Sequence, residues 1–299
     1  KYGKLSRERV MASAIRLARE GFPVHPLFAR IIKNYEQRLT YDEDAAAIFY
    51  PDGEPLQAGD HLERPKLART LQRVAENGRE GFYEGPVARA LVNQLQAGGN
   101  PLTMDDFAAF EPRWRKPLCG SYGPYTVLSA TPSLNGAEVI ETLNLLDPYD
   151  LPAMGFPSRA PKALGRVVDA IRIARADRLR WIGDPDETGV PAVGLASSAF
   201  ADERQALIGG PVPDSLAAGN PWPMEQKGRS DDCRALNSFP PTDLPQPKTK
   251  AQKTNTTTGL GSHTTHISVV DAEGRAVSLT ETMGLYFGSA VYENGVFLN

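Results

Sequence analysis

The sequence predicts an α+β protein in which helices fill the first two hundred residues and a β-hairpin lies near the C-terminal end. Apolar residues recur at helical spacing through most of residues 1–210. Eight prolines then fall within residues 211–250, and such a composition favours an unpacked loop. Alternating apolar and polar residues on both sides of a Gly-containing turn predict two antiparallel strands over 264–282.

Composition limits the class of protein. The chain has 299 residues, 41% of them hydrophobic and 23% charged, with a formal net charge of −3. These values are ordinary for a globular protein of one or two domains and lack the basic character of a nucleic-acid binder. No apolar stretch reaches the 18 residues that a membrane span requires. Cys119 and Cys233 have neither metal-ligand nor redox spacing, which leaves a single disulfide open.

Local signals predict the individual elements. Ser6 is suited to cap the first helix and Gly21 to end it. Thr103 and Asp106 have the spacing of a capping box for a short helix. A β-branched and aromatic run closed by a proline predicts a strand over 124–132. Helical periodicity or capping predicts helices over seven segments: 6–21, 26–39, 63–77, 85–97, 103–107, 136–146 and 157–182.

We predict three portions of the chain. Residues 1–210 form a mainly helical portion, residues 211–263 a flexible proline-rich linker, and residues 264–299 a portion that begins with the hairpin. The linker segment is too polar to offset the entropy of ordering it. Long loops of this kind are uncommon inside compact domains and usually have a function.

The predicted turn sets the register of the hairpin. A type I turn over 271–274 with Gly274 in the left-handed conformation places Asp271 opposite Arg275. Counting outward from that pair, Thr264 lies opposite Thr282. A two-residue loop would shift the register by one. The threonines share their face with polar residues: His266, Ser268, Ser278 and Thr280. The other face is apolar enough to pack on a core and carries Thr265, Ile267, Val269, Val277, Leu279 and Met283.

Two interpretations of the threonine pair stand side by side. Paired threonines stabilise many sheets, by about 0.2–1 kcal/mol. A threonine at a free N-terminus is also a compact nucleophile, because its α-amine, with a pKa of about 7.7–8.0, can accept the proton of its own hydroxyl. Cleavage of the His263–Thr264 bond, by attack of the same hydroxyl on the preceding carbonyl, would produce such a residue. The position of Thr264 directly after a cleavable segment favours this second interpretation.

The residues 264–289, TTHISVVDAEGRAVSLTETMGLYFGS, resemble the start of the small subunit of γ-glutamyltranspeptidases, members of the N-terminal nucleophile hydrolase superfamily. Segments upstream resemble the large subunit of that family in the same order: 2–24, 81–92, 113–127, 143–151 and 174–186. The resemblance implies Thr264 as the autoprocessing and catalytic threonine, with Thr282 supporting it.

The resemblance also implies the rest of the biochemistry. It implies a four-layer αββα sandwich, here partial, and two subunits made from one precursor. The expected reaction passes through a γ-glutamyl-enzyme ester, formed from glutathione or a γ-glutamyl amide and released to water, an amino acid or a dipeptide. No cofactor, metal or nucleic-acid partner is implied, and a periplasmic or extracellular location is expected.

The sequence departs from the family pattern at three places. Gly284 stands where the family usually has an asparagine that helps to hold the substrate. The loop that many members write PPPSSGG is here TPSLNGA, residues 131–137, with Leu134 and Asn135 in place of two serines. We also expect segments before Lys1 and after Asn299, among them a carboxylate-binding arginine, an amine-binding aspartate and the Gly-Gly oxyanion donors.

Two alternative interpretations fit these departures. An acylase acting on β-lactam side chains or other amides, or a poly-γ-glutamate depolymerase, would keep the fold and change the substrate. A truncated homologue without activity would neither cleave itself nor react at Thr264. Two other segments contain metal-ligand residue types, but neither favours a metal site. In residues 263–266 the two histidines point to opposite faces of a strand, and in residues 182–187 Asp-Pro-Asp is a common turn. We assign no role to Cys119, His25, His61 or residues 97–101.

Overall fold

The computed structural model describes residues 3–210, 216–226 and 264–298, and it combines helices and short strands as predicted. The chain divides into two compact units. The first unit contains residues 1–112 and 258–299, and the second contains residues 113–257. The three portions predicted from the sequence, with borders at 210 and 263, are defined by the expected cleavage of the chain and not by its compact units, and they stay predictions.

The described residues form fourteen α-helices, two short 3₁₀-helices and eight strands. The α-helices are α1 (Arg7–Glu20), α2 (Pro26–Asn34), α3 (Glu36–Leu39), α4 (Glu43–Phe49), α5 (Pro65–Asn77), α6 (Glu80–Tyr83), α7 (Gly85–Ala97), α8 (Met104–Ala109), α9 (Gly136–Leu146), α10 (Leu151–Met154), α11 (Pro161–Trp181), α12 (Ala192–Leu195), α13 (Ser198–Arg204) and α14 (Trp222–Gln226). The 3₁₀-helices are Pro51–Gly53 and Gln205–Leu207.

The eight strands pair in chain order into four separate two-stranded antiparallel sheets. They are β1 (Phe22–Pro23), β2 (His61–Leu62), β3 (Leu118–Tyr122), β4 (Tyr125–Ser129), β5 (Thr264–Val270), β6 (Ala276–Thr282), β7 (Tyr292–Glu293) and β8 (Val296–Phe297). The predicted strand over 124–132 corresponds to β4. The finer expectation of a four-layer sandwich stays a prediction. In the part of the chain that the structure describes, no helix is both long enough and apolar enough to cross a membrane.

Capping residues begin α1 and α8, and Gly21 ends α1, where the sequence predicted them. The Ser6 hydroxyl accepts from the backbone N–H of Arg9 at 3.4 Å, and Gly21 follows α1 with a φ of 79°. Thr103 and Asp106 form both hydrogen bonds of a capping box at α8. These two predictions are confirmed, because caps depend on residues close in sequence.

Two predicted helices begin later than expected, because a proline follows each extended residue. Arg64 and Ala160 have non-helical backbones before Pro65 and Pro161, so α5 and α11 start at the prolines. The predicted helix over 26–39 is interrupted, since Tyr35 has φ −109° and ψ 24° and separates α2 from α3.

The core of the first unit joins its N-terminal helices to residues near the C-terminal end. The buried side chains of its largest cluster are Val24, Ile32, Leu39, Ala45, Phe49, Tyr50, Leu56, Leu62, Phe287 and Tyr292. Phe287 lies 5.7 Å from Phe49 and 5.1 Å from Phe297 between ring centroids. The segment after the hairpin is therefore part of the same core as α2 and α4.

The core of the second unit contains a buried acidic residue, Glu141, on α9. Glu141 and Asp177 are both fully buried, and Asp177 accepts from Arg204 Nε at 3.0 Å. No donor among the described residues bonds either carboxyl oxygen of Glu141. Burial, and then the negative charge of Asp177, raise the pKa of Glu141 to about 10. Glu141 is therefore protonated at neutral pH and can donate to Asp177.

Part of the segment predicted as a flexible linker is packed. Trp181 Nε1 donates to the carbonyl of Gly219 at 2.8 Å, and Gly219 N–H donates to Asp177 at 2.5 Å. Met224 on α14 is buried in the core of the second unit. Residues 216–226 thus have an ordered place that their proline content did not predict, whereas 211–215 and 227–263 lie outside the described residues.

Candidate active site

The hairpin of β5 and β6 is built on the predicted turn. Gly274 has a φ of 78° and donates its N–H to the carbonyl of Asp271 at 3.0 Å. The Asp271 carboxylate accepts from the backbone N–H groups of Arg275 and Glu273, at 2.8 and 3.1 Å, and these bonds hold its pKa below the usual range. This three-residue loop fixes the register of the two strands.

The register places Thr264 directly opposite Thr282, as the sequence predicted. Ser268 pairs with Ser278, and His266 pairs with Thr280. In an antiparallel pair, directly opposed Cβ atoms lie about 4.5–5.5 Å apart. The two threonines are therefore neighbours on one face of the hairpin, and the alternative register with a two-residue loop is excluded.

His266 is the centre of a hydrogen-bond network on this face. Its Nδ1 lies 2.8 Å from Thr280 Oγ1, and its Nε2 lies 3.0 Å from Ser268 Oγ and 3.2 Å from Ser278 Oγ. Sequence reasoning placed His266 on the face of the threonines but did not identify these contacts. Strand alternation puts residues 264, 266 and 268 on one side, but it does not specify which ring nitrogen contacts which hydroxyl.

A tight turn follows Thr282. The N–H of Gly284 donates to Thr282 Oγ1 at 2.9 Å, and Gly284 has a φ of 74°. A Cβ added at Gly284 would meet no atom within 4 Å. The position lacks the side chain that the family pattern supplies, yet its backbone orients the hydroxyl of the second threonine.

Residues 284–298 anchor β6 to the helices of the first unit. Tyr292 N–H donates to Asp42 at 2.9 Å, and Thr70 donates to the carbonyl of Asn294 at 2.6 Å. This anchor was not predicted from the sequence. The Asn-Gly dipeptide at 294–295, with φ values of 51° and 88°, is a strong signal for the tight hairpin of β7 and β8 and could have revealed part of it.

The apolar face of the hairpin is not covered by other described residues. Ile267 and Leu279 are each 51% exposed, and Val277 is 64% exposed. The sequence predicted that this face packs on a core, and within the described ranges it does not. The polar face is exposed as well, so the threonines are accessible to solvent.

Other sequence candidates have local structural roles. His25 Nδ1 accepts from Leu27 N–H at 3.2 Å and caps α2. His61 Nε2 lies 2.7 Å from the carbonyl of Glu20 and links β2 to the end of α1. Asp186, in the predicted acidic turn, pairs with Arg115 at 2.8 Å. No group of three or more metal-ligating side chains occurs among the residues described. His263, the other residue of the expected cleavage bond, lies outside them.

The altered loop of residues 131–137 belongs to the second unit. Leu134 is exposed, and Asn135 accepts from Arg178 at 3.0 Å. A Cβ at Gly136 would come within 1.8 Å of the carbonyl oxygen of Ala130, which explains the requirement for glycine at that position. Asn135 therefore contributes to the packing of α9 against α11.

Comparison with known protein families gives a match over the whole chain. The family model described as gamma-glutamyltranspeptidase matches residues 1–299. A glutathione hydrolase proenzyme of Escherichia coli is 32% identical over 303 residues, covering 100% of this chain and 46% of the relative. An acylase ACY 1 proenzyme of a Pseudomonas species is also 32% identical, covering 99% of this chain and 46% of the relative.

Solved structures give the same result. The crystal structure of a γ-glutamyltranspeptidase from Helicobacter pylori matches with a TM-score of 0.66 and 30% sequence identity. The match covers 72% of this chain and 61% of that chain. The chain spans about half the length of the curated relatives it matches.

Proposed function

Because the chain belongs to the γ-glutamyltranspeptidase family, we propose that it supplies the autoprocessed threonine nucleophile of a γ-glutamyl transferase or hydrolase. Thr264 is the nucleophile and Thr282 its supporting hydroxyl. The observation that carries this proposal is the register of the hairpin, in which Thr264, the first residue of β5, lies opposite Thr282, the last residue of β6.

Self-cleavage is the first chemical step of the proposal. The Oγ of Thr264 attacks the carbonyl carbon of His263, the peptide C–N bond breaks, and the nitrogen is protonated to become the α-amine of Thr264. Water then hydrolyses the resulting ester and frees the hydroxyl. The word proenzyme in the names of both relatives supports a precursor that is cut.

Acyl transfer is the second step. The new α-amine of Thr264 accepts the hydroxyl proton while Oγ attacks the γ-carbonyl of glutathione or another γ-glutamyl amide. The leaving amine takes a proton, and a γ-glutamyl ester of Thr264 remains. Water or the amino group of an acceptor amino acid or dipeptide then releases it. The bond between Gly284 N–H and Thr282 Oγ1 orients the second hydroxyl for this work.

In this proposal, the segment that begins at Thr264 stays bound to the first unit after cleavage. Residues after Thr264 remain attached to the first unit through the buried ring of Phe287 and the hydrogen bonds of Tyr292 and Asn294. Scission therefore creates a new N-terminus without releasing the strand that carries it. The exposed apolar face of the hairpin is suited to the inside of an αββα sandwich. A periplasmic or extracellular location is part of the proposal and rests on the family alone.

An acylase of the same fold is a second candidate. Gly284 offers no side chain to the α-amino and carboxylate end of a γ-glutamyl group, and the acylase ACY 1 relative is as similar in sequence as the glutathione hydrolase. This acylase would use the same nucleophile and differ only in the acyl group that it accepts.

The test compares two chromogenic substrates that differ in one group. A γ-glutamyl anilide carries the α-amine, whereas a glutaryl anilide lacks it. The proposal predicts faster hydrolysis of the γ-glutamyl compound and no hydrolysis of either one by Thr264→Ala. Preference for the glutaryl compound would favour the acylase. Equal rates in Thr264→Ala and in the unsubstituted protein would reject the threonine nucleophile for both.

A further inference from the structure

A cavity of about 440 Å³ lies between α1 and α5 in the first unit. Ala68, which is buried, forms part of its wall, and the other lining residues are mostly polar. Three of them are arginines: Arg19 near the end of α1, and Arg69 and Arg73 on α5. The cavity is open to solvent, and its volume falls within the range of small-molecule sites.

The three arginines of this cavity are solvent-exposed, and the lining contains one carboxylate. Among the described residues, no hydrogen bond or ion pair involves the guanidinium groups of Arg19, Arg69 and Arg73. The carboxylate in the lining, Glu76, accepts a hydrogen bond from Gln72 at 2.7 Å. The cavity therefore carries three positive charges against one negative charge.

The spacing of two of these arginines adds a weak repulsion, which solvent screens because both residues are exposed. Arg69 and Arg73 are four residues apart on α5, and like charges at this spacing repel each other. Arg19 adds a third charge from α1, which packs along α5. A bound anion would turn this repulsion into attraction, because guanidinium groups bind carboxylates and phosphates in bidentate geometry.

We propose that the cavity between α1 and α5 binds a small molecule with two or more oxyanion groups. A single phosphate would fill little of the volume, whereas a molecule with separated anionic groups can reach arginines on both helices. Carboxylate and phosphate groups share this chemistry. The site is separate from the hairpin, and the proposal does not depend on the proposed function.

Isothermal titration calorimetry with the full chain tests the proposal, with citrate and pyrophosphate as the two probes. We expect one saturable site per chain at physiological ionic strength for at least one probe, and the tighter probe identifies the preferred oxyanion. Arg69→Gln and Arg73→Gln are each expected to weaken binding at least about tenfold, because each removes a charge-assisted hydrogen-bond donor.

Arg16→Gln is the matched control. Arg16 also lies on α1, but it pairs with Glu20 at 3.3 Å and does not line the cavity. Its substitution should leave the affinity within twofold. Arg69→Lys, which keeps the charge and loses the bidentate geometry, should give an intermediate affinity, and thermal melts monitor the folding of all variants. The proposal would be overturned if neither probe showed saturable binding. It would also be overturned if Arg16→Gln and Arg69→Gln reduced the affinity equally.

Discussion

Replacing Glu141 by glutamine is expected to stabilise the second unit at neutral pH. Glu141 is fully buried beside Asp177, and its pKa in the folded protein is raised from 4.5 to about 10. The unfolded chain releases this proton above pH 4.5, whereas the folded chain keeps it. The stability that the protonated group provides is therefore complete below pH 4.5 and is lost as the pH rises towards 10.

The size of the effect follows from this shift. Between pH 4.5 and 10 the folding equilibrium constant falls about tenfold per pH unit because of this one group. From pH 5 to pH 7 the loss is roughly 3 kcal/mol. Glutamine binds no proton in either state, and its amide N–H can donate to Asp177, as a protonated carboxyl group can. The Glu141→Gln variant should therefore escape the loss.

Urea denaturation followed by circular dichroism at pH 5, 6, 7 and 8 measures the prediction. The difference in free energy of unfolding between Glu141→Gln and the unsubstituted protein should grow with each pH step. Glu203→Gln, an exposed change on α13, should show no such growth. A difference that stays constant from pH 5 to pH 8 would show that Glu141 is not protonated in the folded protein.

Three further predictions concern the hairpin and its anchor. His266→Asn should slow self-cleavage about tenfold by breaking the network on the polar face, whereas Ser278→Ala, which removes one contact, should have a smaller effect. Gly284→Asn should raise the ratio of γ-glutamyl to glutaryl anilide hydrolysis, because asparagine tolerates a φ of 74° and the space around the position is open. An unchanged ratio would show that Gly284 does not determine the choice between these substrates. Gly295→Ala should lower the free energy of unfolding by at least about 2 kcal/mol, since its Cβ would lie 2.1 Å from the backbone of α5. Gly274→Ala, which has a similar positive φ but lies in open space, should lower the free energy of unfolding by about 1 kcal/mol. Equal losses of stability in Gly274→Ala and Gly295→Ala would show that the close contact with α5 does not matter.

The hairpin of β5 and β6 was predictable because its determinants are local. Gly274 fixes the turn, and the alternation of residues fixes the faces, so the pairing of Thr264 with Thr282 follows by counting. The cap at Ser6 and the capping box at Thr103 are equally local. In each case the residues that decide the structure lie within a few positions of one another.

The anchor of residues 284–298 was not predictable in the same way. Its contacts join residues more than two hundred positions apart, such as Asp42 with Tyr292 and Thr70 with Asn294. The packing of residues 216–226 also depends on distant partners, since Asp177 and Trp181 hold Gly219. Composition reports only the average character of such a segment, not the partners that it will find.

The burial of Glu141 is a third case. Its position on α9 gave no sequence signal, because a charged residue on an amphipathic helix is normally exposed. Only the placement of α11 and α13 around α9 brings Asp177 and Arg204 into the same interior. The polar face of the hairpin could be predicted residue by residue, but the contacts of the His266 ring depend on side-chain conformations that the sequence pattern does not specify.

Intact-mass analysis after incubation at neutral pH tests whether Thr264 is the autoprocessing nucleophile. The purified protein and its Thr264→Ala variant are incubated side by side, and new fragments are identified by mass and N-terminal sequence. We expect a fragment that begins Thr-Thr-His, appears with time and is absent from the variant. A full-length protein that stays intact, or a fragment that forms equally in Thr264→Ala, would contradict the assignment of Thr264 as the autoprocessing nucleophile.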